Sequence, residues 1–123
     1  MRWPTVFSLL LLGYGSFVSA AVAGPADVTS ASASCAASVC TFVVTVRHND
    51  EGWNHYANAW EILLPDGSVL ATRVLGHPHV EEQPFTRTLS GVKVPPGVTK
   101  VRIRARDSVH GFGGAEVEVP LGD

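Results

Sequence analysis

The sequence predicts an all-β fold, in which two antiparallel sheets form a sandwich. Hydrophobic and polar residues alternate in several short segments, and a period of two is typical of strands with one buried face. Turn-forming Pro and Gly residues separate these segments, as at Pro65-Asp66-Gly67. No stretch has the apolar spacing of a helix of ordinary length.

The alternation predicts six strands. In the first of them, Phe42, Val44 and Val46 share one face, while the residues between them face the other way. Short strands joined by turns are typical of an immunoglobulin- or fibronectin-like sandwich, with Trp60 as a core residue between the sheets. The predicted strands cover residues 40–47, 57–64, 68–75, 85–94, 99–106 and 115–120.

The charges of the last two predicted strands complement each other. Arg102, Arg104 and Arg106 alternate with apolar residues in one strand, and Glu116 and Glu118 do so in the other. If the two strands pair antiparallel, these charges form cross-strand ion pairs on the solvent side. Exposed ion pairs are usually solvated surface, so we assign the arginines no binding role.

Residues 1–20 have the pattern of a signal peptide. Arg2 supplies the positive charge, a short apolar stretch follows, and small residues offer cleavage after Ala20 or after Ala23. The apolar stretch is too short and too interrupted by glycine to span a bilayer, which makes an uncleaved anchor the less favoured alternative. No cysteine directly follows the small residues, so a lipid anchor is not expected. We expect a secreted or periplasmic protein without stable membrane insertion after cleavage.

The remaining chain divides into a lead-in and one domain. Residues 21–36 are rich in Ala and Ser and predict a loose segment with room for one edge strand near Val28. Residues 37–123 form the β-sandwich, which has a usual domain size. The two cysteines, Cys35 and Cys40, predict a disulfide in an exported chain. A Cys-x4-Cys metal pair is the alternative, and it requires a reducing compartment.

The charge balance argues against two classes of partner. Nine Lys and Arg residues against eleven Asp and Glu residues give a net charge of −2 with neutral histidines. Nucleic acid and anionic lipid attract basic surfaces, so neither is expected as a partner. The sequence does not identify a protein partner.

All five histidines of the chain fall in loops between the predicted strands. Alternate loops of an antiparallel sandwich lie at the same end, because each strand reverses the direction of the one before it. The histidine-bearing loops are alternate ones, so the imidazoles are expected to gather at one end of the domain while the opposite turns carry none. These residues are His48, His55, His77, His79 and His110.

Such a gathering of histidines on supported loops predicts a transition-metal site. Neutral imidazole is a common ligand for zinc, copper and iron, and the sequence does not choose among the three. Nearby carboxylates, among them Asp107, Asp50 and Glu81, could ligate the ion or orient the imidazoles. A single loop histidine is more often an ordinary surface residue than a ligand, whereas five at one end favour the metal site.

The residues around these histidines resemble two motifs of the superoxide reductase family, which includes desulfoferrodoxin and neelaredoxin. The first motif is a strand followed by His48, His55 and a second strand with a tryptophan. The second motif, Cys-x-x-His-Gly with a following aromatic residue, corresponds to the run DSVHGF at 107–112. The match is loose and covers residues 42–119. The family has an immunoglobulin-like sandwich that holds one iron with four histidines and one cysteine.

The resemblance transfers the family's ligands only in part. Asp107 stands where the family has its cysteine, and the family's histidine-bearing segment before the first strand has no counterpart. His77 or His79 would then supply a missing ligand. The family's thiolate helps to release peroxide, and a carboxylate tunes the metal differently. The positions that match iron ligands of the family are His48, His55 and His110.

The sequence therefore predicts an exported metal-binding protein with one copper, iron or zinc ion at one end of a β-sandwich. A metal-dependent oxidoreductase is the enzyme class that the resemblance implies, although the missing thiolate argues against superoxide reduction itself. Carrier and structural roles for the metal stay open. The alternative from another class is a metal-free adhesion or accessory domain of the cell envelope, whose histidine- and aromatic-rich end is a contact surface.

Overall fold

The structure, a computed structural model, describes residues 24–122 and has seven β-strands in that range. The described residues contain no helix that could cross a membrane. The predicted signal peptide lies outside them. The strands are β1 (Asp27–Ala36), β2 (Val39–Arg47), β3 (Ala57–Leu63), β4 (Val69–Val74), β5 (Phe85–Lys93), β6 (Lys100–Asp107) and β7 (Val117–Pro120).

These strands form two antiparallel sheets that pack face to face, which confirms the predicted all-β class. One sheet has the strand order β1-β2-β5, and the other has the order β4-β3-β6-β7. Side chains from both sheets form one continuous core, in which Phe42, Trp60 and Ile103 are fully buried. Burial of each large apolar side chain contributes roughly 1.5–3 kcal/mol, so the packed sheets give the loops a rigid support.

The six predicted strands are present, with ends that differ by one or two residues. The last strand differs most, since β7 begins at Val117 and not at Ala115. Ala115 contacts the start of β1 instead: its carbonyl oxygen accepts a hydrogen bond of 2.9 Å from the Val28 amide, and its own amide donates to Oδ1 of Asp27 at 2.7 Å. The segment before β7 thus closes over the N-terminal segment of the domain.

Strand β1 contains the edge strand expected near Val28 and extends it through the segment expected to be loose. It runs for ten residues along the edge of the first sheet and pairs with β2 over its whole length. Its many Ala and Ser residues have low strand propensity, which hides the strand in the sequence. The strand forms because a two-residue turn at Ala37 and Ser38, with φ of 52° and 69°, returns the chain directly into β2. The predicted Cys35–Cys40 disulfide joins the two strands beside this turn.

The ion pairs predicted beside β6 and β7 are present on the surface. Arg102 lies 2.8 Å from Glu116 in the segment that leads into β7. Arg104 differs from the expectation, because it pairs with Glu61 of β3 at 2.9 Å. These pairs are at least partly exposed and belong to the solvated face of the second sheet.

The two ends of the sandwich are built from different kinds of connection. The turn end holds the connections β1–β2, β3–β4 and β5–β6, and there the Val94 amide donates to the Ser38 carbonyl oxygen at 2.9 Å. The histidine end holds the loops at 48–56, 75–84 and 108–116, which carry all five histidines. The contacts among these three loops confirm that they meet at one end.

Candidate metal centre

The alternation of the strands carries polar residues into the histidine end. Every even-numbered residue of β2 is buried, and the same alternation continues past the strand to make His48 and Asp50 buried. Every odd-numbered residue of β6 is buried, and Asp107 is the last of them. His55, two residues before the buried Ala57 of β3, is buried as well. The pleat of the sheet therefore turns these polar side chains inward.

Three of these side chains converge on one point: His48, His55 and Asp107, which we refer to as the His-Asp-His group. Nε2 of His48 and Nε2 of His55 each lie 2.6 Å from Oδ2 of Asp107. One ligand atom from each residue lies within 4.8 Å of the others. Their relative exposures are 3%, 7% and 1%, respectively, so the group is nearly closed to solvent and most open at His55.

The other nitrogen of each imidazole is held by a second carboxylate. Nδ1 of His48 lies 2.6 Å from Oδ1 of Asp50, and Nδ1 of His55 lies 3.0 Å from Oε1 of Glu51. An Nδ1–H that donates to a carboxylate fixes the ring orientation and leaves Nε2 to face a cation, as in many metal-bound histidines. Both histidines are thus oriented with Nε2 towards the shared point.

Asp50 connects the histidine loops. Oδ1 accepts a hydrogen bond from the Ala57 amide at 2.9 Å, and Oδ2 accepts one from the His79 amide at 2.7 Å. Gln83 adds a second link, since its Oε1 accepts from the His48 amide at 2.9 Å while its Nε2 donates to the His79 carbonyl oxygen at 2.9 Å. The loop at 75–84 therefore supports His48 without contributing a nitrogen to the His-Asp-His group.

The backbone directs the Asp107 carboxylate. Its Oδ1 accepts hydrogen bonds from the amides of Val109 and His110, which leaves Oδ2 for the imidazoles. Burial raises the pKa of this carboxyl, but the two amide hydrogen bonds, together with those from His55 and His48, outweigh burial and hold the pKa below its usual value. Asp107 is therefore an anion that faces the shared point.

The environment of His55 favours a positive charge beside that anion. Burial lowers the pKa of His55, but hydrogen bonds to Asp107 and Glu51 and the negative charges of both outweigh burial and raise the pKa above 6.5. Without a metal ion, a proton on the His55 imidazole carries this positive charge. A metal cation at Nε2 would replace that proton.

His79 is buried next to the group but is directed elsewhere. Its ring stacks on Phe85 with centroids 4.0 Å apart, and Nη2 of Arg87 donates to its Nε2 at 2.8 Å. Its Nδ1 has no hydrogen-bond partner among residues 24–122 and lies 3.9 Å from Oδ2 of Asp50. Burial, followed by the charges of Arg87 and His77, lowers its pKa. The ring therefore faces Phe85 and Arg87 and not the shared point, and His79 contacts Asp50 through its backbone amide.

The remaining predicted ligands lie around the group and not in it. His77 is exposed, with its ring 4.6 Å from that of His79 and its Nδ1 2.9 Å from the Pro78 carbonyl oxygen. His110 is exposed, and its ring centroid lies 5.1 Å from that of His55. Glu81 is exposed in the loop at 75–84. The structure gathers the predicted histidines at one end, but it directs two of the five at Asp107.

The donor chemistry of the His-Asp-His group fits a transition metal. Two imidazole nitrogens and one carboxylate oxygen are a known donor set for zinc, copper and iron. Ligand atoms around such an ion lie roughly 3.0–3.4 Å apart when each bond is about 2.0–2.1 Å. The 2.6 Å contacts to Asp107 therefore need to widen by less than about 1 Å to admit an ion.

A cavity of about 440 Å³ lies beside the group on the His48 side. Gly24 lines it, and the Gly24 carbonyl oxygen lies 2.9 Å from Nε2 of His48. The residues around the cavity are Gly24, Pro25, Asp27, Arg47, His48, Asn49, Gly113, Gly114 and Ala115.

Three residues that contact the histidines were not predicted from the sequence, because none lies near a histidine in a recognisable motif. These residues are Gly24, Gln83 and Arg87.

Comparison with known proteins gives one informative relative. No protein-family model and no solved structure matches the chain. A protein of Halomicrobium mukohataei named "Putative lipoprotein" is 40% identical over 78 residues. The match covers 63% of this chain and 38% of that protein, so the chain spans well under half the length of this relative.

Proposed function

We infer that this chain is an exported protein that holds one transition-metal ion on His48, His55 and Asp107. The observation that carries the proposal is the convergence of two Nε2 atoms on one carboxylate oxygen at 2.6 Å, deep in the loops. The carboxylates behind the imidazoles add to it, because metal-bound histidines usually donate their other N–H to such a group. Three protein ligands leave coordination positions open for a further ligand, as in catalytic and carrier sites.

Three observations support an extracytoplasmic location. The Cys35–Cys40 disulfide is stable in oxidising compartments. The sequence begins with a pattern typical of a signal peptide. The relative from Halomicrobium mukohataei is named as a lipoprotein, and lipoproteins are exported. We therefore place the protein in the cell envelope or outside the cell.

The strand order supports an immunoglobulin- or fibronectin-like sandwich. With the seven strands lettered A, B, C, C′, E, F and G, the sheets are A-B-E and C′-C-F-G. In the sequence resemblance to superoxide reductases, Asp107 corresponds to the cysteine ligand of that family. We propose redox chemistry different from that of the family, because a carboxylate donates less electron density to iron than a thiolate does.

A metal-free function is the second candidate, and a specific observation favours it. Asp107 already accepts hydrogen bonds of 2.6 Å from both imidazoles, so the His-Asp-His group can join the loop at 48–56 to the end of β6 without an ion. The group would then stiffen the histidine end as a contact surface for another envelope component.

Metal analysis of the untagged, exported protein separates the two candidates. The metal-binding account predicts close to one ion per chain and a melting temperature that rises when zinc, copper or iron is added to the stripped protein. His55→Ala should abolish both effects, whereas His77→Ala, a matched change of an exposed histidine at the same end, should leave them intact. A protein without metal whose melting responds to none of the three ions would support the metal-free candidate.

A further inference from the structure

Gly24, three residues before the start of β1, lies against the His-Asp-His group. Its carbonyl oxygen is 2.9 Å from Nε2 of His48, the same atom that lies 2.6 Å from Asp107. The Gly24 carbonyl oxygen and Oδ2 of Asp107 therefore both face the same ring nitrogen of His48. A spacing of about 3 Å is the one expected between neighbouring ligand atoms of one ion.

The fold fixes the position of this N-terminal segment. Oδ1 of Asp27 accepts a hydrogen bond from the Ala115 amide at 2.7 Å, and the Val28 amide donates to the Ala115 carbonyl oxygen at 2.9 Å. A Cβ at Gly114 would overlap the Ala26 carbonyl oxygen, so only glycine allows the two segments to approach this closely. The contact of Gly24 with His48 is thus anchored three residues away, at the start of β1.

The sequence supplies an independent observation at the same residue. Ala21-Val22-Ala23 is a cleavage pattern of small residues, and cleavage after Ala23 makes Gly24 the first residue of the mature chain. The new α-amino group then belongs to the residue whose carbonyl oxygen contacts His48. An amino nitrogen and a carbonyl oxygen of one residue close a five-membered chelate ring around a metal ion. The cavity of about 440 Å³ that Gly24 lines provides room beside the group.

We propose that the mature protein begins at Gly24 and that its α-amino nitrogen and carbonyl oxygen complete the metal site of His48, His55 and Asp107. This inference rests on the proposed function. The complete donor set is three nitrogens and two oxygens, and a mixed set of nitrogen and oxygen donors in tetragonal geometry suits copper(II). Copper(II) also binds most tightly among the divalent ions of the first transition series. Copper(II) is therefore the ion to test at this site, and cleavage of the signal peptide supplies its last nitrogen donor.

Two chains that end at Asp123 test the proposal, one starting at Gly24 and one at Ala21, each released from a fusion partner by a protease. Every described strand and core residue follows Gly24, so both chains contain the whole fold. The chain that starts at Gly24 should bind copper(II) at least tenfold more tightly in a competition titration. Acetylation of its α-amine should remove this advantage, whereas acetylation of the chain that starts at Ala21 should change little.

Electron paramagnetic resonance of the copper(II) form gives a second readout. Incorporation of ¹⁵N-glycine should change the nitrogen hyperfine pattern only in the chain that starts at Gly24, because only there does a glycine amine contact the ion. Gly114→Ala should weaken copper(II) binding of that chain by pushing the N-terminal segment away. Gly76→Ala, where a Cβ has free space, is the matched control and should not.

The outcomes separate this inference from the proposed function. Equal copper(II) affinity of the two chains, with binding still dependent on His55, would overturn the N-terminal ligand and leave the metal site standing. An intact mass of the exported protein that corresponds to cleavage after Ala20 would overturn it as well. Absence of binding in both chains would overturn the proposed function together with the inference.

Discussion

The turn end and the histidine end of the sandwich are held together by different interactions. At the turn end, short connections reverse the strands, and the Cys35–Cys40 disulfide closes the β1–β2 turn. At the histidine end, longer loops bury His48, His55 and Asp107 instead of apolar side chains. One sheet framework therefore supports a covalently closed end and a polar end.

The difference indicates where selection for function acts. Burial of titratable groups carries a large desolvation cost unless each group is paired, and apolar residues of similar volume are often as stable or more stable. The histidine end nevertheless keeps a buried anion between two imidazoles, with further carboxylates behind them. A departure from good packing rules on an otherwise regular fold is expected at a functional site.

Removal of Asp107 should give the largest effect at the histidine end. Asp107→Ala leaves two buried imidazoles without their shared partner and should lower the free energy of unfolding by roughly 3 kcal/mol, while metal binding is lost. Urea denaturation and a zinc titration measure the two effects. Glu118→Ala, which removes an exposed carboxylate, is the control and should change stability by less than about 1 kcal/mol. A stable Asp107→Ala protein that still binds zinc would contradict a functional role for the polar histidine end.

Loss of the disulfide should affect the turn end alone. The double variant Cys35→Ala/Cys40→Ala opens a loop with a sequence separation of 5 residues. It should lower the free energy of unfolding by roughly 2 kcal/mol, as expected for so short a loop. Metal affinity should change less than twofold, because the disulfide lies at the opposite end of the sandwich. A large loss of metal affinity would mean that the two ends are coupled through the sheets.

The pH dependence should distinguish the metal-free from the metal-bound histidine end. Because folding raises the pKa of His55, protonated His55 stabilises the metal-free protein below about pH 6.5. This contribution to the free energy of unfolding is lost as pH rises through the folded-state pKa of His55. The lowered pKa of Asp107 stabilises it above about pH 3.8, and this contribution is lost as pH falls through the folded-state pKa. Zinc affinity should instead rise with pH as His55 loses its proton.

Urea unfolding of the stripped protein between pH 3 and 9 measures this dependence, with His55→Ala as the reference. A metal-free stability that increases from pH 6 to 8 in a manner dependent on His55 would contradict the account.

The smallest effect is expected on the outer face of the second sheet. Arg102→Ala removes an exposed ion pair with Glu116 and should cost less than about 1 kcal/mol, with the difference shrinking further in 1 M salt. Comparison of the denaturation midpoints of the two proteins at low and high salt measures this stability difference. A loss of unfolding free energy as large as that of Asp107→Ala would show that the surface ion pairs have a structural role.

Much of this arrangement could be predicted from period-two alternation and loop order. The alternation located six of the seven strands of residues 24–122, and the strand order placed all five histidines at one end. Strand β1 was expected only as one edge strand near Val28, because its Ala and Ser residues have weak strand preference. Continuing the same alternation past residues 47 and 106, where the predicted strands end, would have identified His48, Asp50 and Asp107 as inward-facing.

The directions of the loop side chains could not be predicted in this way. His79 is oriented by Phe85 and Arg87, contacts that depend on how the loop at 75–84 folds back. Gly24 reaches His48 only because Gly114 lets the two segments pass closely. Such contacts join residues far apart in the chain, and no local pattern in the sequence records them.

Nitrogen-15 spectra of the histidine side chains during zinc addition show which imidazoles bind the ion. The account predicts that His48 and His55, with the proton on Nδ1, show metal-bound shifts at Nε2 after one equivalent of zinc, whereas His77 and His79 keep their positions. Zinc-dependent shifts confined to His77 and His79, or no shift in any histidine, would contradict it.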